Sequence, residues 1–318
     1  MAYTTIDDGS EYFHTQLYTG NGSSGHSITN NANAGDYKPD WLWIKPRSAS
    51  DNHVVFDSSR TSNKRLKVNS SDAEDSDGTA QVTFESNGFD LDTTDPNFNG
   101  SGTTYVAWQW KANGGTTSTN NDGSVSVTLQ TNSTAGFSIG TFTGTGNSSG
   151  TIGHGLGAKP DWLIVKRRDG SENWNNILPN VDSKLLRLNT ADASFTGSAI
   201  NSVGASTFTD GNGNNAVFYA FKSIQGYSKF GSYTGNGNTD GTFVYTGFKP
   251  AWLMIKRTSG SENWVIWDNK RDPFNNFYHV LLANASSAED TTNTGSGGRF
   301  IGDFLSNGFK LRNTHDTS

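Results

Sequence analysis

The chain has no cysteine, which excludes disulfides, thiolate metal sites and a cysteine nucleophile. Its stability must come from strand pairing, packing or association. No apolar run approaches the roughly 18 residues of a membrane span, so no membrane insertion is expected. The opening stretch MAYTTIDDGSEYF lacks the basic and apolar regions of a secretory signal, which predicts synthesis in a cytosol. Basic charge is also scarce: 24 Lys and Arg stand against 30 Asp and Glu, for a net charge of −6, with no basic run. A nucleic-acid partner is therefore not expected. Hydrophobic residues reach only 32%, a level that alone would fit disorder. The 9 Trp, 10 Tyr and 19 Phe are too many large apolar groups for that. Set among 37 Gly and many Asn, Ser and Thr, they fit short strands joined by polar turns, an all-β protein.

At 318 residues the length predicts two or three domains, and internal repeats decide between these. The block KPDWLWIK (38–45) returns as KPDWLIVK (159–166) and KPAWLMIK (249–256). Upstream of each lies YTGNG (18–22), FTGTG (142–146) or YTGNG (233–237). Downstream come SDNHVVFDSSR (50–60), SENWNNILPN (171–180) and SENWVIWDNKR (261–271), each followed by a Leu- and Asn-containing segment. The first and third copies share FESNGFDL (84–91) and FLSNGFKL (304–311). The first two close on an aromatic strand, TYVAWQW (104–110) and AVFYAFK (216–222). The period is too long for a solenoid, so the expectation is three tandem β-sandwich domains, 1–113, 114–223 and 224–318. KANGGTTSTNNDGS reads as a linker between the first two. The third copy reaches Ser318 without its closing strand. Either the sequence is truncated or a neighbouring chain supplies that strand.

Within the repeated block proline opens a strand. Trp41 and Trp43 fall on one face of it, and Leu42 and Ile44 on the other. Apolar residues on both faces predict a central strand covered on each side, with Trp41, Trp162 and Trp252 as structural core. The Gly-Asn blocks read as turns; no Lys-Ser/Thr or helical pattern follows them, so they are not phosphate loops.

Chemistry is sparse. Asp57 with Arg60 and Asp268 with Arg271 share an Asp-x-x-Arg spacing that would clamp a sugar hydroxyl or form a structural ion pair. Glu74 and Glu289 align without a matched second acid for hydrolysis. The histidines, His315 among them, are scattered, and no metal is expected. Asp210, Asn212 and Asn214 resemble half a calcium loop that lacks its closing Glu. His53, Trp174 and Trp264 align in polar, loop-like settings and are the best ligand-binding candidates, with Asp57, Arg60, Asp268 and Arg271 beside them. No catalytic residue or cofactor is expected.

The string YTGNG, PDWLWIK, HVVFDSSR, LKVNSSDAED, SNGFDL and SGTTYVAWQW resembles a domain family of virion proteins from marine tailed bacteriophages. That family is placed near tail-fibre and concanavalin A-like, jelly-roll proteins. The resemblance implies a phage virion protein, assembled in the host cytoplasm beside other virion proteins. It further implies a tail-fibre or surface-appendage subunit that contacts host glycans, and a homo-oligomer, a trimer by family analogy. A decoration protein without ligand and a polysaccharide depolymerase are the rival readings.

Overall fold

A computed structural model describes all residues except 1–2, 34, 77–78, 147–148, 212, 293–300 and 315–318. Asn212 and His315 therefore lie outside the described residues. Apart from one 3-10 turn at Gly9–Glu11, the regular elements described are strands. The first repeat holds β1 (Phe13–Thr19), β2 (His26–Thr29), β3 (Trp41–Pro46), β4 (Val54–Asp57) and β5 (Lys64–Lys67). It continues with β6 (Asp75–Ser76), β7 (Val82–Glu85), β8 (Gly88–Leu91) and β9 (Thr104–Trp110). The second holds β10 (Ser118–Asn120), β11 (Val127–Asn132), β12 (Phe137–Thr143), β13 (Thr151–Gly153) and β14 (Trp162–Arg167). There follow β15 (Asn175–Ile177), β16 (Leu185–Arg187), β17 (Ile200–Asn201), β18 (Thr207–Asp210) and β19 (Asn215–Phe221). The third holds β20 (Phe243–Tyr245), β21 (Trp252–Ile255), β22 (Val265–Asp268), β23 (Leu281–Leu282), β24 (Gly302–Leu305) and β25 (Gly308–Leu311).

These strands form six antiparallel sheets. Each repeat contributes a larger sheet, ordered β1-β9-β3-β4-β5-β6, β10-β11-β12-β19-β14-β15-β16 and β21-β22-β23. It adds a three-stranded one, β2-β8-β7, β13-β18-β17 or β20-β25-β24. Facing side chains of the two sheets make one core per repeat, consistent with a β-sandwich. Turn chemistry sets the strand directions: Gly22, Gly146 and Gly237, which end the three Gly-Asn blocks, sit at φ +66°, +75° and +63°. The supposed linker after residue 113 is partly a strand, because β10 pairs with β11.

Alternation along β3 explains the doubly apolar block. Leu42 and Ile44 enter the sandwich core. Trp41 and Trp43 point the other way, into a further core shared by all three repeats. β9 divides in the same manner, with Tyr105 and Ala107 facing inward to the sandwich and Val106, Trp108 and Trp110 to the shared core. The ring of Trp41 stacks on Tyr219 of the second repeat at 4.5 Å. Repeats joined this way are not beads on a string, since each large sheet is roofed by the other two.

The third repeat departs from this plan. β3 and β14 each lie between two strands, whereas among the described residues β21 pairs with β22 alone. Trp41 and Trp162 are buried, at 1% and 4% exposure, but Trp252 is only half-buried. The expected equivalence of the three core tryptophans is thus corrected for Trp252, which has no second flanking strand among the described residues.

Trp41→Ala should cost about 3–5 kcal/mol. Its ring touches two repeats, so urea unfolding should remain one transition for fluorescence and far-UV signals alike. Separate transitions would show that the repeats unfold independently.

Candidate functional site

The aligned loops before β4, β15 and β22 were expected at the surface. The structure instead buries His53, Trp174 and Trp264. An asparagine fixes each loop: Asn69, Asn189 and Asn284 accept the backbone N–H of His53, Trp174 and Trp264 at 2.8–2.9 Å. The same asparagines donate to Asn52, Asn173 and Asn263. The aromatic side chain then reaches into the preceding repeat. Trp174 Nε1 donates to the Lys67 carbonyl and Trp264 Nε1 to that of Arg187, each at 2.9 Å. His53 accepts from Trp43 Nε1 through Nδ1 at 3.0 Å, which leaves the proton on Nε2. Burial keeps this histidine far below its ordinary pKa, aided by Lys45, against a smaller opposing pull from the Leu282 carbonyl of the third repeat. Nε2 faces that carbonyl without normal hydrogen-bond geometry.

The lysine that closes each repeated block makes the same kind of link, which sequence reasoning missed. Lys45, Lys166 and Lys256 donate Nζ to the carbonyls of Ser286, Ser71 and Ala191, at 3.2, 3.1 and 3.1 Å. Burial lowers each ammonium to about 8. Backbone bonds run in parallel, from Glu74 to Arg168, Ser194 to Thr258 and Glu289 to Arg47. First holds second, second holds third and third holds first: the contacts form a closed ring.

Both Asp-x-x-Arg pairs lie inside that ring, with no solvent-facing clamp. Arg60 binds Asp57 at 2.7 Å and Glu74 at 2.8 Å, and Arg168 of the second repeat completes the cluster. Arg271 binds Asp268 at 2.6 Å and Glu289 at 2.8 Å, with Arg47 of the first repeat on the far side. Aromatic donors from the closing strands cap the aspartates: Tyr219 Oη donates to Asp57 at 2.6 Å and Trp108 Nε1 to Asp268 at 2.9 Å. The second repeat places Leu178 where the others have aspartate, and Ser194 where they have glutamate. Burial alone would raise the Glu74 and Glu289 carboxyls. Arg168 with Arg60, and Arg271 with Arg47, more than reverse this and hold them below their ordinary values. Each carboxylate is thus paired across a seam between repeats, where removal of one partner would leave a buried charge uncompensated.

What opens to solvent is a cleft of about 1200 Å³ beside β21. Trp110, Trp162, Leu178, Phe221, Phe230 and Trp252 give it an apolar floor. It is larger than the roughly 300–1,000 Å³ of small-molecule sites. Among the described residues no three His, Asp or Glu side chains assemble as metal ligands.

An all-β, sandwich-like fold, with repeats locked by buried indole bonds and ion pairs, defines the class. The chain belongs to the family described as a domain of unknown function, DUF7483, whose model matches residues 8–318. That family unit spans all three repeats. No curated protein and no solved structure matches the chain.

Because Glu74 and Glu289 hold protons less tightly when folded, their contribution is present above about pH 4.5 and is lost as pH falls through their lower folded values. Glu74→Gln or Glu289→Gln should cost about 3 kcal/mol at pH 7 and flatten the acid dependence of the urea midpoint. An unchanged acid dependence would contradict these roles.

Proposed function

We propose that the chain is a non-enzymatic structural component of a tailed-phage particle, a tail-fibre or surface-appendage subunit. In this reading three tandem jelly-roll-like sandwich units, 1–113, 114–223 and 224–318, act as one rigid block among other virion proteins. The observation that carries it is the use of chemistry-bearing side chains. Asp57, Arg60, Asp268, Arg271, His53, Trp174 and Trp264 are all buried and spent on joining repeats. Such investment favours mechanical integrity over turnover. The particle itself rests on the resemblance of the sequence markers.

Contact with host glycans finds a different carrier from the loops expected. Phe243 and Tyr245 alternate on β20 and are 42% and 59% exposed, while Tyr3 is 54% exposed. Tyr3 Oη lies 3.5 Å from Tyr245 Oη and donates to the Gly247 carbonyl at 2.8 Å. Exposed rings beside polar groups suit stacking on the C–H face of a sugar.

Gold-labelled antibody on intact particles should mark the tail. Absence from purified particles would overturn the reading, and even coverage of the shell would replace an appendage with a decoration protein. Tyr245→Ala should lower retention on host surface polysaccharide about five- to tenfold, since a stacked aromatic is worth ~1–1.5 kcal/mol, with unchanged melting. Shortened polysaccharide after incubation would instead make the protein a depolymerase.

A further inference from the structure

We propose that the cleft beside β21 is a strand acceptor, which takes one extended strand, apolar along one face and acidic at its flanks, and so completes the third large sheet. The inference is independent of the virion reading. The first two repeats show what fills the corresponding place. There β9 lies between β1 and β3, and β19 between β12 and β14, in continuous antiparallel register. In the third repeat, among the described residues, no strand pairs with the free side of β21. Tyr233 packs edge-on against Phe309 at 6.1 Å, as Tyr18 does against Phe89 and Phe142 against Phe208, at 6.0 and 6.1 Å. The segment before Tyr233 forms no ladder. Across the cleft β21 presents an edge, and two strand spacings of about 4.8 Å are the width one inserted strand needs.

Backbone polarity supports the same occupant. Arg47 N–H donates to Thr104 O and Arg168 N–H to Asn215 O, which sets the alternate amides of β3 and β14 toward the closing strand. On the other side Ser58 N–H donates to Asp40 O, matched by Asn269 N–H to Ala251 O. Transferred to β21, this parity directs the amides of Trp252, Met254 and Lys256 into the cleft, while Leu253 and Ile255 bond to β22. A small ligand would not use such a row of donors and acceptors; a strand would.

The neighbours also specify the strand's side chains. On the shared-core face β9 presents Val106, Trp108 and Trp110, and β19 presents Val217, Tyr219 and Phe221. Trp108 and Tyr219 each give a hydrogen bond to the aspartate of the repeat behind. The corresponding residue behind the cleft is Leu178, an apolar side chain that lines it. The incoming strand should therefore carry Leu or Phe at its centre, without a donor, between Val and an aromatic residue. Its rim carries Lys184, Lys229, Lys249 and Lys270 against Asp8 and Asp182, so acidic flanks are favoured.

The test uses the 318-residue chain and four synthetic peptides. These are the sequence of residues 103–111, the same peptide with Leu at the position of Trp108, that Leu peptide with Asp-Glu flanks, and a scramble. Amide exchange should slow at least about tenfold at Trp252, Met254 and Lys256, most with the flanked Leu peptide and not with the scramble. Met254→Pro removes the central amide without breaking a β22 bond and should abolish the effect. If that variant does not fold, Leu178→Asp serves instead and should reverse the preference toward the Trp peptide. A folded chain whose cleft amides respond to no peptide would overturn the proposal.

Discussion

The structure depends on the second face of its central strands. A sandwich normally needs one buried face per sheet, and the other meets water. Here Trp41 and Trp43 project from β3 away from their own sandwich, and neither could remain exposed without creating a large apolar patch. The face is covered by the equivalent faces of the other repeats. Burial of each large sheet therefore draws on all three repeats, and the family unit likewise spans residues 8–318.

Hydrophobic contact alone would permit many rotations of one sheet against another. The polar ring selects one. An indole N–H buried without a partner carries a penalty, so Trp174 and Trp264 hold their neighbours where a carbonyl awaits. Each block-closing lysine adds a charged donor at a second point of the same seam. The bidentate Arg168–Glu74 and Arg47–Glu289 pairs supply direction at two seams. At the third, Ser194 meets Thr258 through a neutral bond, and Leu178 replaces an aspartate. The asymmetry is local: both substitutions belong to the second repeat, which backs the open cleft.

Much of this was legible in sequence. The order of markers gave all-β repeats, the doubly apolar block gave a strand covered on both sides, and the Gly-Asn blocks gave positive-φ turns. The absent aromatic strand of the third copy pointed to an open edge. The burial of His53, Trp174 and Trp264 is not legible because polar neighbours such as Ser-Glu-Asn signal a loop, and a loop is ordinarily at the surface. In a ring of repeats a loop from one unit is interior to the next, and local composition carries no trace of that. The Asp-x-x-Arg pairs were ambiguous for the same reason. One available signal went unused: all three blocks end in Lys, at 45, 166 and 256. A charge kept at the end of an apolar strand argues for a fixed partner.

A third large sheet completed on the plan of the first two would cover the edge that β21 presents. Among the described residues β21 pairs on one side only, so an assembly made through that walled edge has one defined site. The edge is not flat or fully exposed, for Trp110, Phe221 and Phe230 wall it in. A strand must therefore satisfy both the row of amides and the apolar floor, and the floor is the more selective. Indiscriminate edge-to-edge pairing needs only backbone, whereas this slot also requires large side chains at alternate positions and none that seeks an aspartate at Leu178. The same shared core that unites the three repeats thereby sets which strand can complete the last one.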